Sequence, residues 1–348
     1  MLYKSKSERM QKARLLHVGY PKCMSSTIQR DFFAKHPEIA FVGWGVPELE
    51  HGWIDDSMAS LCEVGIRYEN TLSYDASAAT KIFESHLRKF EDNPQKKLFC
   101  LSSESFSFTM HFDVDPAIKA ERLRNLMGDN TKILIVIRNQ LDLFRSYYFE
   151  CIRGGYWGYF NEFLDFHYHY LFHSILSDLR YCRLYELYCR MFGSENVKVI
   201  AMESLIQNPV LTLRDLCTYS GITNTEIALS RHNDSDDKKY LQAVRLLNEK
   251  FPNNRGTTYF GWVDGEKLSA YWRVSRKLTE PAASLRNYGQ RMLVFRSAKA
   301  TVSDFVGPLD ATYPENWVRL LSELYAEDNA SLARATGIDL KKLGYPHL

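Results

Sequence analysis

The feature that most constrains the fold is the run Lys132–Arg138 (KILIVIR), in which every residue from Ile133 to Ile137 is apolar. A strand with one face in water alternates polar and apolar residues, whereas a continuous β-branched run is typical of a strand buried on both faces. Such strands occur in parallel sheets that helices cover on both sides. Shorter apolar runs of the same kind predict three more strands, at Leu15–Gly19, Leu98–Leu101 and Val197–Ala201.

Segments with helical patterns lie between these strands and after them. They are Ser26–Lys35, Ala117–Met127, Leu141–Arg153, Asn208–Ser220, Lys238–Lys250 and Glu315–Thr336. This alternation predicts an α/β fold with a P-loop-like parallel sheet flanked by helices. No linker, low-complexity tract or internal repeat divides the 348 residues. We therefore expect a single domain over residues 1–348, with a core over 14–223 and a C-terminal cap of helices and loops over 224–348.

Charge and hydropathy exclude several classes of protein. The chain has 44 Lys and Arg against 42 Asp and Glu, a formal net charge of +2, which argues against a nucleic-acid partner. No stretch approaches the roughly 18 apolar residues of a transmembrane segment, and the polar, basic N-terminus does not resemble a signal peptide. The seven cysteines are scattered, with no CxxC pair, which predicts reduced thiols and a cytoplasmic location.

The loop after the first predicted strand has the length of a phosphate-binding loop. From Gly19 to Thr27 the chain reads Gly-Tyr-Pro-Lys-Cys-Met-Ser-Ser-Thr, and a helical pattern follows. The N–H groups and the dipole at the start of a helix attract an anion. A Walker loop would have Gly at Met24 and Lys at Ser25, whereas the lysine here is Lys22. A phosphate cradle and an ordinary strand-to-helix turn with an N-capping serine both fit this loop.

The strongest strand ends in an arginine, where a kinase or ATPase would place a metal-binding aspartate. Arg138 stands at the carboxyl end of that strand, where parallel sheets bind ligands, and its planar guanidinium suits a phosphate. Ser146 follows eight residues later, two turns along the next predicted helix. The alternative is a local ion pair between Arg138 and Asp142. Together with the first loop, the pattern predicts two separated anion sites and no metal.

These two motifs resemble those of the sulfotransferases that use 3′-phosphoadenosine 5′-phosphosulfate (PAPS). HVGYPKCMSSTIQRDFFAKHPEI is similar to the 5′-phosphosulfate loop of that family, and IVIRNQLDLFRSYY is similar to its 3′-phosphate motif. Further stretches resemble the bacterial, carbohydrate-type branch: LSSESF, VKVIAMESLIQNPVLTLRDLCTYSGI, RHNDSDDKKYLQAVRLLN and the tail YAEDNASLARATGIDLKKLGYP. The resemblance is spread from one end of the chain to the other.

The resemblance implies an enzyme with PAPS as cofactor, 3′-phosphoadenosine 5′-phosphate (PAP) as product and no metal. It implies that Lys22 is catalytic and faces the bridging oxygen of the leaving phosphate. It also implies the residues that bind the nucleotide: Lys22, Cys23, Met24, Ser25, Ser26 and Thr27 at the 5′-phosphate, and Arg138 and Ser146 at the 3′-phosphate.

One residue departs from the family pattern. The family usually has Gly where Met24 stands, and a side chain there costs about 1–2 kcal/mol if the backbone is left-handed. We therefore expect either a right-handed path of the loop at Met24 or a reduced affinity for the nucleotide.

Glu104 is the candidate base for the acceptor. It follows the apolar strand Leu98–Leu101, at the mouth of the sheet, where burial raises the pKa of a carboxyl toward a useful value. Glycan sulfotransferases of this fold often have a glutamate at this place. Helix capping and a salt bridge are the alternative roles of Glu104. His17, within the first strand, is expected to be a core histidine.

Residues 147–192 are rich in aromatic side chains. Glycines after Arg153 predict a mobile turn that carries Tyr156 and Trp157 and closes over an acceptor. The rest of the stretch fits either a helical core or the stripe of a homodimer. A late basic loop covers the nucleotide in related enzymes, and the candidates for that role are Arg231, Lys238 and Lys239.

The expected acceptor is a hydroxyl or amine of a glycan or glycolipid sugar, with a small hydroxylated metabolite as the alternative. The non-enzymatic alternative is a catalytically impaired protein that binds PAP.

Overall fold

The computed structural model describes residues 12–43, 56–109, 113–153, 156–224, 228–230, 237–250, 303 and 305–347. The strands within them are β1 Ala13–His17, β2 Ile39–Gly43, β3 Leu98–Ser102, β4 Lys132–Ile137 and β5 Val197–Ala201. They form one sheet in the order β2-β3-β1-β4-β5, and every pairing is parallel. The α/β fold predicted from the apolar runs is therefore confirmed, and β2 is the strand that the runs did not predict.

The register places β1 in the centre of the sheet, between β3 and β4. Leu16 of β1 lies opposite Leu101 of β3 and opposite Ile133 of β4. The chain stays beside β4 after β1 ends, because the N–H of Tyr20 donates to the carbonyl oxygen of Val136 at 3.1 Å. The segments that follow β1 and β4 therefore emerge side by side at the carboxyl edge of the sheet.

The sheet is the centre of the hydrophobic core. Every residue of β4 from Ile133 to Ile137 is buried, as are Leu15 and Leu16 of β1. Burial on both faces accounts for the continuous apolar runs, since neither side of these strands contacts water. This arrangement fixes the carboxyl ends of β1 and β4 rigidly and leaves the polar residues beyond them at the edge.

The helices surround this sheet. In chain order they are α1 Ser25–Thr27, α2 Asp56–Ser60, α3 Ala76–Glu91, α4 Pro116–Met127, α5 Gln140–Arg153, α6 Phe160–His169, α7 Ile175–Asp178, α8 Tyr181–Phe192, α9 Met202–Gln207, α10 Pro209–Ser220, α11 Lys238–Lys250 and α12 Glu315–Thr336. Wider π-type turns follow α1 over Ile28–Phe33 and follow α2 over Leu61–Ile66. The regular helix predicted over Ser26–Lys35 is therefore wrong beyond its first turn, whereas the bounds predicted for α11 and α12 are confirmed.

Local sequence signals explain several helix ends. The Asp115 carboxylate accepts the N–H of Ala117 at 2.7 Å, and Pro116 occupies the first turn of α4, where its missing N–H costs nothing. Gly337, with a φ of 75°, ends α12, because glycine takes the left-handed conformation without a steric penalty.

The helices divide between the two faces of the sheet. The connection from β1 to β2 crosses the sheet in one direction, and the connections from β3 to β4 and from β4 to β5 cross it in the other. Because such crossovers are right-handed, α1 lies on one face, and α4 and α8 pack together on the other. In the part of the chain that the structure describes, no helix has both the length and the apolarity of a membrane span.

Candidate functional site

The loop after β1 has two residues in the left-handed conformation. Lys22 has a φ of 63° and Met24 a φ of 61°, and neither is glycine. Of the two outcomes expected at Met24, the right-handed path is therefore excluded, and a reduced affinity for the nucleotide stays a prediction. Each such position costs about 1–2 kcal/mol, and strain of this kind concentrates at functional sites. Cys23 between them is buried, so its thiol is turned into the protein and its backbone remains at the loop.

The loop leads into the start of α1, where backbone donors are available. The N–H of Ile28 donates to the carbonyl oxygen of Met24 at 3.0 Å. The N–H groups of Ser25, Ser26 and Thr27 precede that bond and have no acceptor one turn earlier in the helix. The side chains of Ser25 and Thr27 are buried and that of Ser26 is partly exposed. This segment can therefore bind an anion through its N–H groups and the Ser26 hydroxyl.

Arg138, directly after β4, lies against this loop. Its Nη1 donates a hydrogen bond to the carbonyl oxygen of Lys22 at 3.0 Å. The alternative of a local ion pair with Asp142 is wrong, because the Asp142 carboxylate binds Arg145 at 2.5 Å. Among the described residues, Arg138 has no carboxylate within ion-pair distance. Its positive charge therefore remains available to a ligand at the carboxyl edge of the sheet.

Ser146 lies on α5, whose first residue is Gln140. At 1.5 Å of rise per residue, it is about 9 Å along the helix from that first residue. The side chain is half-buried, and no direct hydrogen bond joins Ser146 to Arg138 in the structure. Both residues belong to one rigid strand-to-helix unit.

The ammonium group of Lys22 is held by a carboxylate that the sequence did not predict. Lys22 Nζ lies 3.2 Å from Oε2 of Glu150, and the same oxygen accepts a bond from Arg153 at 2.7 Å. Burial acts to raise the pKa of Glu150, but the charges of Lys22 and Arg153 outweigh it, so the pKa lies below its ordinary value. Glu150 is therefore ionised and shared between two cations.

Glu104 lies on the same side of the loop as Lys22. It opens a short 3₁₀ turn after β3, and the hydroxyl of Ser103 caps that turn, so Glu104 does not serve as the cap. Burial raises the pKa of the Glu104 carboxyl to about 7, although the charge of Lys22 and a hydrogen bond from Ser25 act to lower it. The charge of Glu150 raises it further. Near neutral pH this carboxyl can therefore exchange a proton.

A buried ion pair supports the segment that carries Glu104. The ammonium of Lys119, on α4, donates to the carbonyl oxygens of Ser105 at 2.9 Å and Phe108 at 2.8 Å, and to the carboxylate of Asp113 at 2.6 Å. Neither Lys119 nor Asp113 has exposed side-chain surface. The Lys119 ammonium thus holds the segment after Glu104 in place through three hydrogen bonds. No local sequence signal indicates this contact.

His17 is a core residue, as the sequence predicts. Its Nδ1 lies 2.7 Å from the hydroxyl of Ser102 on the neighbouring strand. Complete burial lowers the pKa of His17 to about 3. The imidazole is therefore neutral across the physiological range, and Glu104 remains the titrating group beside the loop.

Hydrogen bonds connect the aromatic turn after α5 to neighbouring helices, and its closure over an acceptor stays a prediction. The hydroxyl of Tyr148 donates to the carbonyl oxygen of Gly158 at 3.0 Å. From α11, Asn248 donates to Tyr156 and Arg245 donates to Trp157, at 3.1 and 2.7 Å. Tyr156 is buried, and Trp157 remains 44% exposed. Residues 154 and 155 lie outside the described residues.

Lys238 and Lys239, from the late basic loop, are exposed in the first turn of α11. Arg231, the third candidate, lies outside the described residues. No group of three or more His, Cys, Asp or Glu side chains that could hold a metal occurs in the described ranges.

A cavity of about 160 Å³ lies between the first turns of α4 and α8, with Ser107, Asp178 and Arg183 in its wall. Burial raises the pKa of Asp178 to about 7, while a bond from the N–H of Thr109 acts to lower it. Asp178 therefore titrates in the same range as Glu104.

No protein-family profile and no curated protein matches the chain. Among solved structures it is similar to a sulfotransferase from Alicyclobacillus acidocaldarius, with 19% identity, a TM-score of 0.45, and coverage of 70% of this chain and 97% of that one. It is also similar to the sulfotransferase domain of the Synechococcus PCC 7002 olefin synthase, with 15% identity, a TM-score of 0.37, and coverage of 70% and 88%. A third is mouse sulfotransferase SULT7A1 complexed with PAP, with 11% identity, a TM-score of 0.33, and coverage of 85% and 90%.

Proposed function

We propose that this protein is a PAPS-dependent sulfotransferase, which moves the sulfuryl group of PAPS to a hydroxyl or amine of an acceptor. The observation that carries the proposal is the hydrogen bond from Arg138 to the carbonyl oxygen of Lys22 at 3.0 Å. It joins the two segments whose sequences resemble the 5′-phosphosulfate loop and the 3′-phosphate motif. One edge of the sheet therefore has two cations for a nucleotide with two phosphorylated positions.

The residues present fit such a nucleotide. The N–H groups at the start of α1 suit the 5′-phosphate, and the Lys22 ammonium, in the loop before that helix, adds a positive charge. Arg138, with no carboxylate partner among the described residues, suits the 3′-phosphate through its planar fork of N–H donors. Ser146 would add a hydroxyl from α5.

The reaction at this edge needs transfer of the sulfuryl group, stabilisation of the leaving group and removal of the acceptor proton. The bond between sulfur and the bridging oxygen of PAPS breaks, and a bond forms between sulfur and the acceptor oxygen or nitrogen. Lys22 stabilises the negative charge that develops on the bridging oxygen. The acceptor proton passes to the Glu104 carboxylate, whose pKa of about 7 suits a general base near neutral pH.

For the acceptor we favour a glycan or glycolipid sugar. Trp157 and Tyr159 are 44% and 59% exposed and follow the end of α5 that carries Glu150. Exposed aromatic rings suit the apolar face of a sugar ring. A small hydroxylated metabolite is the alternative acceptor. All seven cysteines are free thiols, which supports the proposed location in the reducing cytoplasm.

The test is transfer of radiolabelled sulfate from PAPS to a panel of glycan, glycolipid and small hydroxylated acceptors, with PAP binding measured in parallel by calorimetry. We expect labelled product with at least one acceptor class. Lys22→Ala should nearly abolish transfer and weaken PAP binding less, because Lys22 acts mainly on the departing oxygen. Equal losses of both would refute that role.

A second candidate function is binding of PAP without turnover. The left-handed Met24 and the ion pair between Lys22 and Glu150 favour it, since both depart from a loop that is free to bind the nucleotide. Tight PAP binding with no transfer to any acceptor would support this second function.

A further inference from the structure

The C-terminal tail of the chain folds back onto the residues that follow β4. Its sequence belongs to the stretches that resemble the bacterial branch, yet neither the nucleotide loop nor the base uses it. After α12 ends at Thr336, the tail reaches Asn139, whose Nδ2 donates to the carbonyl oxygen of Gly344 at 2.5 Å. Asn139 is the residue directly after Arg138, so the tail contacts the turn that follows the candidate 3′-phosphate residue.

A carboxylate joins the tail to the same residue. The hydroxyl of Tyr345 donates to Oε2 of Glu203 at 2.8 Å, and Oε1 of Glu203 accepts the backbone N–H of Asn139 at 2.9 Å. Glu203 lies in the first turn of α9, directly after β5. Asn139 in turn caps α5, since its Oδ1 accepts the N–H of Leu141 at 3.0 Å. The path from Tyr345 to the turn beside Arg138 is thus a chain of direct hydrogen bonds.

A second buried contact fixes the tail in place. Asn329 of α12 exchanges hydrogen bonds with the side chain of Gln140, the shorter of them 2.6 Å, and it donates to the carbonyl oxygen of Pro346 at 2.9 Å. Gln140 and Asn329 are both buried. Tail and turn therefore form one packed unit, and Tyr345 itself is buried within it.

The charges in this unit explain why the Tyr345 hydroxyl matters for Arg138. The Arg138 guanidinium is close enough to Tyr345 to influence its pKa. Tyr345 and Asn139 donate to the two oxygens of Glu203, and no ion pair joins Glu203 to Arg138 among the described residues. Loss of the hydroxyl leaves one oxygen of Glu203 without its donor, and Arg138, the neighbour of Asn139 in the chain, has no carboxylate partner among the described residues. An ion pair between them would compete with a phosphate.

We propose that Tyr345 is a positioning residue for the 3′-phosphate: through Glu203 and Asn139, the C-terminal tail orients Arg138 and keeps its charge available to the nucleotide. This inference rests on the proposed function, since it takes Arg138 as the group that binds the 3′-phosphate.

The test compares binding of PAP and of 5′-AMP, which lacks the 3′-phosphate, to the full-length protein and to Tyr345→Phe by calorimetry. Tyr345→Phe should weaken PAP binding about tenfold, the effect of one hydrogen bond to a charged group, and leave 5′-AMP binding unchanged. A purely structural role would weaken both nucleotides alike or neither, and either outcome overturns the inference.

The matched control is Tyr325→Phe. Tyr325 is also a buried tyrosine, on α12, but its hydroxyl donates to the carbonyl oxygen of Leu176 at 2.9 Å, away from Asn139. It should lose similar thermal stability and bind PAP as the unmodified protein does. Equal losses of PAP affinity in the two variants would overturn the inference.

A double variant tests the competing ion pair directly. In Tyr345→Phe with Glu203→Gln, the neutral amide cannot form an ion pair with Arg138, so PAP binding should return toward that of the unmodified protein. Failure of this rescue in a protein with a cooperative melting transition overturns the inference. Failure of the unmodified protein to bind PAP at all overturns the proposed function itself, which is a different result.

Discussion

The guanidinium of Arg138 donates a hydrogen bond to the carbonyl oxygen of Lys22 at 3.0 Å, although 116 positions separate the two residues in the sequence. The bond exists because β1 and β4 are neighbours in the sheet and the segments after them leave at the same edge. It also ties the arginine to a residue with left-handed backbone. The distance between the two candidate phosphate positions is therefore set by the sheet rather than by flexible loops.

The pH dependence of sulfate transfer should follow Glu104. Its pKa of about 7, raised by burial, means that the basic carboxylate is populated only as pH rises through neutrality. We expect kcat/KM to increase with pH and to level off above about 7, and Glu104→Gln to lower it by roughly 10²–10⁴ fold. The measurement is a pH-rate profile of both proteins with saturating PAPS.

Asp178→Asn is the control for that profile, because Asp178 titrates in the same range and is not part of the proposed chemistry. This variant should keep the rise of kcat/KM near pH 7.

The free energy of unfolding gives a second test of Glu104. A carboxyl with a raised folded-state pKa binds more protons when folded than when unfolded, so its contribution to stability falls as pH rises from about 4.5 to 7. Glu104→Gln should therefore lose less stability than the unmodified protein across that window. If Glu104→Gln leaves the pH-rate profile of sulfate transfer unchanged, Glu104 is not the base.

Glu150→Gln should strengthen PAP binding. Glu150 holds Lys22 at 3.2 Å and places a negative charge beside the proposed 5′-phosphate position, so its removal frees the ammonium and reduces repulsion. We expect a severalfold gain in affinity, measured by calorimetry at low ionic strength, where such charges are least screened.

The control is Glu327→Gln, which makes the same change in net charge at an exposed ion pair with Arg334 on α12. It should leave PAP affinity unchanged. Weaker PAP binding by Glu150→Gln would mean that Glu150 orients Lys22 for the nucleotide instead of competing with it.

Met24 permits a paired test of backbone strain. Met24→Gly and Met24→Ala remove the same packing, but only glycine relieves the left-handed conformation at φ 61°. At an ordinary helical position glycine is less stable than alanine. Here we expect the order to reverse, with the glycine variant more stable by about 1 kcal/mol in urea denaturation.

The same pair of variants tests whether Met24 limits nucleotide binding. If the side chain crowds the phosphate, both variants should bind PAP more tightly than the unmodified protein. An alanine variant as stable as the glycine variant would show that the loop adopts another path in solution.

Replacement of Lys119 should destabilise the fold strongly. Lys119→Met leaves the carbonyl oxygens of Ser105 and Phe108 without their donor, and leaves the buried Asp113 carboxylate with Arg67 as its remaining cation. Removing one partner of a buried ion pair costs about 3–5 kcal/mol when the other charge is left alone, and because Arg67 still pairs with Asp113 we expect the lower end of that range. Arg124→Met, at an exposed ion pair with Asp129 on the same helix, should cost under about 1 kcal/mol. Comparable losses for the two variants in urea denaturation would contradict this account of the buried pair.

The sequence predicted four of the five described strands because burial on both faces of a strand requires a continuous run of apolar residues. A strand covered on both faces must be apolar throughout, and the runs that became β1, β3, β4 and β5 showed that pattern. β2, Ile39–Gly43, lies at the edge of the sheet, and its apolar run is as long as that of β3; it was missed because it starts close behind the segment Ser26–Lys35, which was predicted to be helical. The π-type turns after α1 explain why the helix after the first loop was predicted too regular.

The contacts within the candidate site could not be predicted, because they join residues far apart in sequence. Lys22 binds Glu150 across 128 positions, and Tyr345 binds Glu203 across 142. Local spacing suggested Asp142 as a partner of Arg138, yet Arg145 takes that carboxylate. Residue types after the strands indicated which side chains lie at the carboxyl edge of the sheet. Their hydrogen-bond partners depend on tertiary packing, which the spacing of residues in the sequence does not show.

A crystal structure of the protein with PAP bound would show directly whether Arg138 and Lys22 bind one nucleotide at both of its phosphorylated ends. We predict the Arg138 guanidinium in hydrogen-bond contact with the 3′-phosphate, and Lys22 Nζ moved from Glu150 to the 5′-phosphate. PAP bound elsewhere, or bound with either cation turned away from its phosphate, would contradict the account.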